Sequence, residues 1–426
     1  MLAQKENRER NRTVFRLKLF DYRRDGSFAS RQHAWKNLGF KERGRIWRNL
    51  TRDGFLDPEC SRSDAINSKG AQMKRFLKTV PLLALAALSA ATISSAQGQS
   101  QTAAKKIIID TDPGTDDALA ILLALNSPDI DVAGVTIVAG NVTSELGLEN
   151  ALKVMSLANR CDIPVAKGAA HPLFQKLNTE VFWNGKNGLG GAELPPSHCA
   201  ASSQFGPDLI IGVVHRYPHE ITLVPIGPLT NVALAISKDP SIVPLVKEVV
   251  LMGGSITGGN VNAASEFNIH SDPEAASIVF NAGWPITMVG LDVTERTLIT
   301  NADVVRLEKV GEPEASFAAA VARFQIGTYQ GTGFGGGAVH DALAVGAVVD
   351  RSFLKTQDMR VDIETDGRFT RGETVGNRGN AIDRVVPRGD RLETVGVDAV
   401  QPNVQVAVGV DASRFIELLV SRLSGK

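Results

Sequence analysis

Cysteine is scarce in this chain, three residues in 426, and none stands in a C-x-x-C pair or at a metal-ligand spacing. The sequence therefore offers no thiolate metal site and no redox dithiol. Cys60 falls in a segment set aside below. Cys161 and Cys199 could pair in an exported protein, but nothing in the sequence brings them together, and their expected role is structural. Long apolar runs are missing too: Val80 to Ile93 spans 14 residues, short of the roughly 20 that a membrane-spanning helix needs. No internal repeat with a period of about 20 to 50 residues is present, and low complexity is confined to residues 94–104. No G-x-G-x-x-G follows the first apolar run of the folded part, so a dinucleotide site lacks its phosphate loop. Net charge is absent only in sum, because 46 Lys and Arg balance 46 Asp and Glu while the two signs are spread unevenly.

The uneven part is the beginning. Residues 1–72 hold 17 Lys and Arg against 9 Asp and Glu, and their apolar residues keep no sustained helix or strand period. From Met73 the chain reads MKRFLKTVPLLALAALSAATISSAQ, a basic start, an apolar stretch and small residues at the cleavage positions. That is the order of a secretory signal peptide. Such peptides work at an N-terminus, so the expectation is that translation starts at Met73 and that residues 1–72 do not belong to the native protein. The expected division is a signal peptide at 73–96, a linker at 97–104 and one domain at 105–426. The competing reading, a basic domain followed by a membrane anchor, is disfavoured by the short apolar run. Removing residues 1–72 leaves 29 basic and 37 acidic residues, and removing the lysines and arginine of the signal peptide makes the balance more acidic still. A field of that sign disfavours nucleic acid as a partner and admits a neutral small molecule. The expected location is the periplasm or beyond, with no membrane attachment once the signal is cleaved.

From Lys105 onward, short apolar runs alternate with helical patterns, the signature of an α/β domain with an open, mostly parallel sheet flanked by helices. Ile107 to Ile109, Val132 to Val138, Ile221 to Ile226, Glu248 to Met252 and Ile286 to Leu291 read as strands. Ala118 to Leu125, Leu146 to Leu157, Leu229 to Ile236, Pro273 to Ala282 (capped by Asp272) and Ser413 to Leu423 read as helices. Met359 to Val375 alternates around an Asp-Gly and reads as a small C-terminal β-hairpin. In such sheets ligands bind beyond the carboxyl ends of the strands.

The polar residues gather at those ends. Asp110, Asp112, Asp116 and Asp117 crowd the end of the first strand, and acids packed this closely need protons or a metal to be tolerated. All-oxygen ligation suits Ca²⁺ or Mg²⁺. An EF-hand is excluded because its twelfth position would be Ile121, where a bidentate Glu is required. A Mg²⁺-dependent phosphatase of the D-x-D-x-Thr/Val type matches only in part, since Gly114 occupies the Thr/Val position. Asp110 is expected to support the loop by accepting turn amides, and not to touch the metal. Asn141 and Asn260, each beside a glycine, have a turn role as the alternative to a ligand role. Glu266 and Asn268 flank Phe267, which would put both side chains on one side of an extended segment.

The string DTDPGTDD at 110–117 resembles the signature of the inosine/uridine-preferring nucleoside hydrolases. So do ITLVPIGPLTNVALA at 221–235, VVLMGG at 249–254, GN at 259–260, EFNIHSDPEAA at 266–276 and HDALAV at 340–345, in that order. The resemblance implies hydrolysis of the N-glycosidic bond of a ribonucleoside at a Ca²⁺ site that holds both the attacking water and the ribose diol. It implies Asp112 as general base and metal ligand, with Asp117, the carbonyl of Ile226 and Asp341 as further ligands. Asp116, Asn141, Asn260, Glu266, Asn268 and Asp341 would bind the ribose, with Met252 packed near it, and His340 would be the acid for the leaving base.

Tyr329, in the Gly-rich stretch up to Gly337, would close over the base. One departure bears on base preference: many relatives have His where this chain has Asn184. Trp183 beside it would stack on a base or pack the loop. The resemblance further implies a dimer or tetramer. The rival without turnover is a periplasmic nucleoside-binding protein, which would not need a carboxylate placed to activate water.

Overall fold

The structure, a computed structural model, describes residues 103–377 and 401–425 and the strand backbones at 384–388 and 391–395. Residues 1–72 and the signal-peptide reading at 73–96 lie outside the described residues. The strands are β1 (Lys105–Thr111), β2 (Ile130–Ile137), β3 (Val165–Lys167), β4 (Thr222–Pro225), β5 (Glu248–Met252) and β6 (Ile286–Val289). They are followed by β7 (Leu298–Ile299), β8 (Gly337–Ala338), β9 (Leu354–Ile363), β10 (Thr374–Asn377), β11 (Arg384–Arg388), β12 (Arg391–Val395) and β13 (Val404–Val410).

Nine of them form one sheet in the order β10-β9-β13-β6-β5-β4-β1-β2-β3. From β13 to β3 every pairing is parallel, while β9 and β10 add an antiparallel edge. The expected hairpin is therefore present as β9 and β10. It extends the main sheet, and Asp366-Gly367 is not its tight turn, because residues 364–373 make the connection. Arg371 ties that connection down by a two-pronged pair with Glu274 at 2.7 and 2.8 Å.

β1 is covered on both faces. Ile107 and Ile109 enter one core with helices Thr115–Leu125, His340–Val349 and Ala412–Leu423, and Ile108 enters the other with helices Gly206–Arg216 and Thr230–Lys238. The alternation is the two-residue period of a strand, and covering both faces explains the unbroken apolar run. Burying each isoleucine contributes about 1.5–3 kcal/mol. Helix Thr115–Leu125 is buried almost all round, packed against helices His340–Val349 and Pro313–Thr328. This contact brings two distant acidic loops together.

The chain runs outward from β1 through β2 to β3, then returns to β4 on the other side of β1. The strand order thus reverses between β1 and β4, and the crevice beyond that switch point is where such sheets bind ligands. Ile286 to Leu291 ends as a strand at Val289. Gly290 turns the chain, the Leu291 amide donates to Gly254 O at 3.0 Å, and Leu291–Thr294 forms one helical turn. No helix among the described residues is long and apolar enough to cross a membrane.

Candidate active site

The loop leaving β1 is folded around Asp117. Its Oδ1 accepts the Thr111 hydroxyl at 2.5 Å and the Asp112 amide at 3.3 Å, and its Oδ2 accepts the Gly114 amide and Asn141 Nδ2, each at 3.0 Å. The side chain thereby caps the helix that begins at Thr115, and two acids in that first turn suit its positive end. Asp110 plays a different part from the one expected: its Oδ1 accepts Thr136 Oγ1 at 2.6 Å and Asn231 Nδ2 at 2.7 Å, side chains of β2 and of the helix after β4. The turn amides go to Asp117 because Asp110 lies within the strand and points across the sheet.

Asp112 is fully buried. Its Oδ2 accepts the Asn141 amide at 2.6 Å, while its Oδ1 has no hydrogen-bond partner. Gly140 and Gly227 press against the two oxygens so closely that a Cβ at either position would collide with the carboxylate. Helix packing then delivers Asp341: carboxylate oxygens of Asp116, Asp117 and Asp341 all lie within 4.8 Å of one another.

Burial, then repulsion from Asp117, pushes the Asp112 carboxyl well above its ordinary range. Burial, then the charge of Asp116, does the same to Asp341, and Asp116 is raised to about 7 by burial and Asp117. An unpartnered buried oxygen among repelling carboxylates is what a cation relieves. The donors available are oxygens, which fits a hard divalent ion.

Above this cluster opens a pocket of about 350 Å³. Asp116, Asn141, Ile226, Met252, Asn260, Glu266, Asn268, His340 and Asp341 all line it, while Asp112 and Asp117 lie buried at its base. Asn268 Nδ2 donates to the carbonyls of Ile226 at 3.0 Å and Met252 at 3.2 Å. The segment around Glu266 is not extended as expected. Glu266 caps a short helix, Phe267–Ser271, and its carboxylate accepts the amides of Gly254, Asn268 and Ile269 at 2.9 to 3.0 Å. Asn260 Oδ1 accepts the Phe267 amide at 2.9 Å, and Asp272 caps the next helix at the Ala275 amide, as expected.

The far end of the pocket is aromatic. Trp183 and Phe334 flank Tyr329, with ring centroids 5.2 and 5.6 Å away. Tyr329 Oη lies 2.8 Å from His340 Nε2, and His340 Nδ1 lies 2.8 Å from Thr294 Oγ1. Burial pushes the imidazole down to about 4, so the ring is neutral at pH 7. Burial first, then the nearby carboxylates, raises the Tyr329 hydroxyl further above its already high value.

Sequence reasoning singled out His340 and Tyr329 but not the bond between them, nor Thr294. It also missed the role of Asn184, whose side chain reaches Thr115 and Asn141, and Gln325, whose Nε2 donates to Ala338 O at 2.7 Å. No local pattern marks such long-range partners.

Residues 107–417 match the family model of the inosine-uridine preferring nucleoside hydrolases. The chain belongs to that family. It is 38% identical over 319 residues to the pyrimidine-specific ribonucleoside hydrolase RihA of Salmonella arizonae, covering 74% of this chain and 97% of that one.

Among solved structures it resembles the purine-preferring ribonucleoside hydrolase of Gardnerella vaginalis at 37% identity and TM-score 0.68, covering 75% of this chain and 98% of that one. It also resembles a plant nucleoside hydrolase, PpNRh1, at 36% identity and TM-score 0.69, covering 75% and 99%. The nucleoside hydrolase described here is accordingly an enzyme that cleaves ribonucleosides, and the phosphatase and non-catalytic binding alternatives fall away. Its relatives include one named for pyrimidines and one for purines, so similarity alone does not assign the base.

Proposed function

We propose that the enzyme hydrolyses ribonucleosides to free base and ribose at a Ca²⁺ site formed by Asp112, Asp117, Asp341 and the carbonyl of Ile226. The observation that carries this reading is the buried, unpartnered Oδ1 of Asp112, cradled by two glycines at the base of the pocket. When bound, Ca²⁺ supplies positive charge that acidifies a water and grips vicinal hydroxyls.

Asp112 takes the proton from the attacking water through Oδ1, since its Oδ2 is committed to the Asn141 amide. Asp116, Asn141, Asn260, Glu266, Asn268 and Asp341 hold the ribose, with Met252 packed beneath it. The surrounding carboxylates favour the positive charge that develops on the sugar as the bond breaks. At the other end Trp183, Tyr329 and Phe334 line the space for the base. The Tyr329 and His340 pair offers it a hydrogen bond as it departs, with His340 neutral and acting through the tyrosine hydroxyl.

Release of base and ribose from inosine, uridine, adenosine and cytidine, with Ca²⁺ and after chelation, tests this. Turnover lost on chelation and restored by Ca²⁺ supports it, and undiminished turnover in chelator overturns the metal role.

Export through a signal peptide at 73–96 is part of the proposal, supported by the bond between Cys161 and Cys199, since disulfides persist in oxidising compartments. N-terminal sequencing of the exported protein should begin near Gln97. Assembly as a dimer or tetramer is read by light scattering.

A further inference from the structure

We propose that Glu295 determines base specificity, its carboxylate accepting a hydrogen bond from the exocyclic amine of cytosine or adenine and so favouring those nucleosides over uridine and inosine. This rests on the reading that puts the ribose at the carboxylate cluster and the base among the aromatic rings.

Glu295 lines the pocket. It follows Thr294, whose hydroxyl meets His340 Nδ1 at 2.8 Å, and His340 Nε2 in turn lies 2.8 Å from Tyr329 Oη. It therefore stands at the aromatic end. Glu180, another lining carboxylate, precedes the helical turn that carries Trp183, and its backbone is tied to the loop after β2: its amide donates to Asn141 O at 2.9 Å and its carbonyl accepts Asn184 Nδ2 at 3.3 Å. The backbone beneath Glu295 is held: its amide donates to Leu291 O at 3.3 Å, and Asp292, in the same turn, anchors the Ile256 amide at 3.0 Å and the Thr257 hydroxyl at 2.6 Å.

Among the described residues no ion pair and no hydrogen bond reaches the Glu295 side chain, and no Lys or Arg lines the pocket. Burial, followed by the charge of Asp292, already disfavours the bare carboxylate. A half-buried acceptor of this kind gains most from a donor on the ligand.

Of the other polar groups at this end, the Tyr329 hydroxyl is engaged with His340, the Thr332 hydroxyl with Tyr329 O, and Gln325 donates to Ala338 O while its Oε1 is a second unpartnered acceptor. A carboxylate only accepts. Cytosine and adenine present an amine where uracil and hypoxanthine present a carbonyl oxygen, and acceptor facing acceptor is repelled. A site built around one hydrogen bond rejects the analogue that lacks it more strongly than an apolar pocket can.

The test measures kcat/KM on cytidine, uridine, adenosine and inosine for the full chain and for Glu295→Gln and Glu295→Leu. Glutamine keeps the size and can turn its amide to serve either base type. The cytidine-to-uridine and adenosine-to-inosine ratios should exceed one in the wild type and fall about tenfold or more in both variants. Ratios that stay within about twofold of wild type on that scale, or a wild type that favours uridine and inosine, overturn the proposal.

Failure of the wild type to cleave any of the four would be a failure of the hydrolase reading instead. Calorimetric binding of free cytosine against free uracil then decides the role of Glu295: tighter cytosine binding that disappears in Glu295→Gln upholds it, and equal binding overturns it.

Discussion

The side chain of Asn184 accepts both the amide of Thr115, at 2.9 Å, and its hydroxyl, at 3.1 Å, across 69 residues of sequence. Its Nδ2 donates to Asn141 Oδ1 at 3.1 Å. One buried amide thus joins three segments: the acidic loop after β1, the loop after β2 and the long loop that carries Trp183.

Asn184→Ala should therefore cost about 1–3 kcal/mol, because the Thr115 amide is left buried without a partner. It should also lower kcat/KM about tenfold or more by displacing the Trp183 wall. Denaturant unfolding and steady-state kinetics read the two effects. Wild-type stability in the variant would show that another group satisfies the amide.

Asp112→Asn removes the proposed base while keeping the shape. Turnover should fall by a factor of about 100 to 10,000. The metal-free fold should be no less stable, since a charge is removed from a repelling cluster. Ca²⁺ should raise the melting temperature of the wild type more than that of the variant, because a ligand at about 100 times its Kd adds near 2.7 kcal/mol. Equal calcium-dependent shifts in the two proteins would remove Asp112 from the metal site.

His340 titrates low, at about 4, because it is buried. A base whose folded pKa lies below its unfolded value of about 6.5 contributes stability that is full above that value and is lost as pH falls toward the folded one. The contribution is about 3 kcal/mol for a shift of this size. NMR of the imidazole should show no titration between pH 8 and pH 5. A midpoint near 6.5 would mean that the ring is open to water and free to serve as an ordinary acid.

Cys161 and Cys199 are bonded across a separation of 38 residues, with Ser156 Oγ receiving the amides of His198 and Cys199 beside them at 3.0 and 3.2 Å. The crosslink closes the long loop that contains Trp183 and Asn184. Reduction, or Cys199→Ser, should lower stability by about 2–4 kcal/mol and raise KM. An unfolding midpoint that ignores reductant would show that the serine contacts alone secure the loop.

The sequence by itself determined the layered α/β fold and the acidic end of the pocket. Ile107 to Ile109 sit in a strand covered on both faces, so local apolar patterning was enough to find β1, and DTDPGTDD placed Asp112, Asp116 and Asp117 between the end of that strand and the first turn of the next helix. Glu248 to Met252 and the Asp272 cap were legible for the same reason, since each is fixed by neighbours in the chain.

Tertiary structure alone decided which distant groups meet. The partners of Asp110 come from β2 and the helix after β4, and Asn184 reaches Thr115 from a loop with little regular structure. The pairing of Tyr329 with His340 depends on how the glycine-rich turn between them doubles back. Those contacts carry no period and no motif, because they are set by helix packing and loop closure, whose effects appear only when the whole chain is folded.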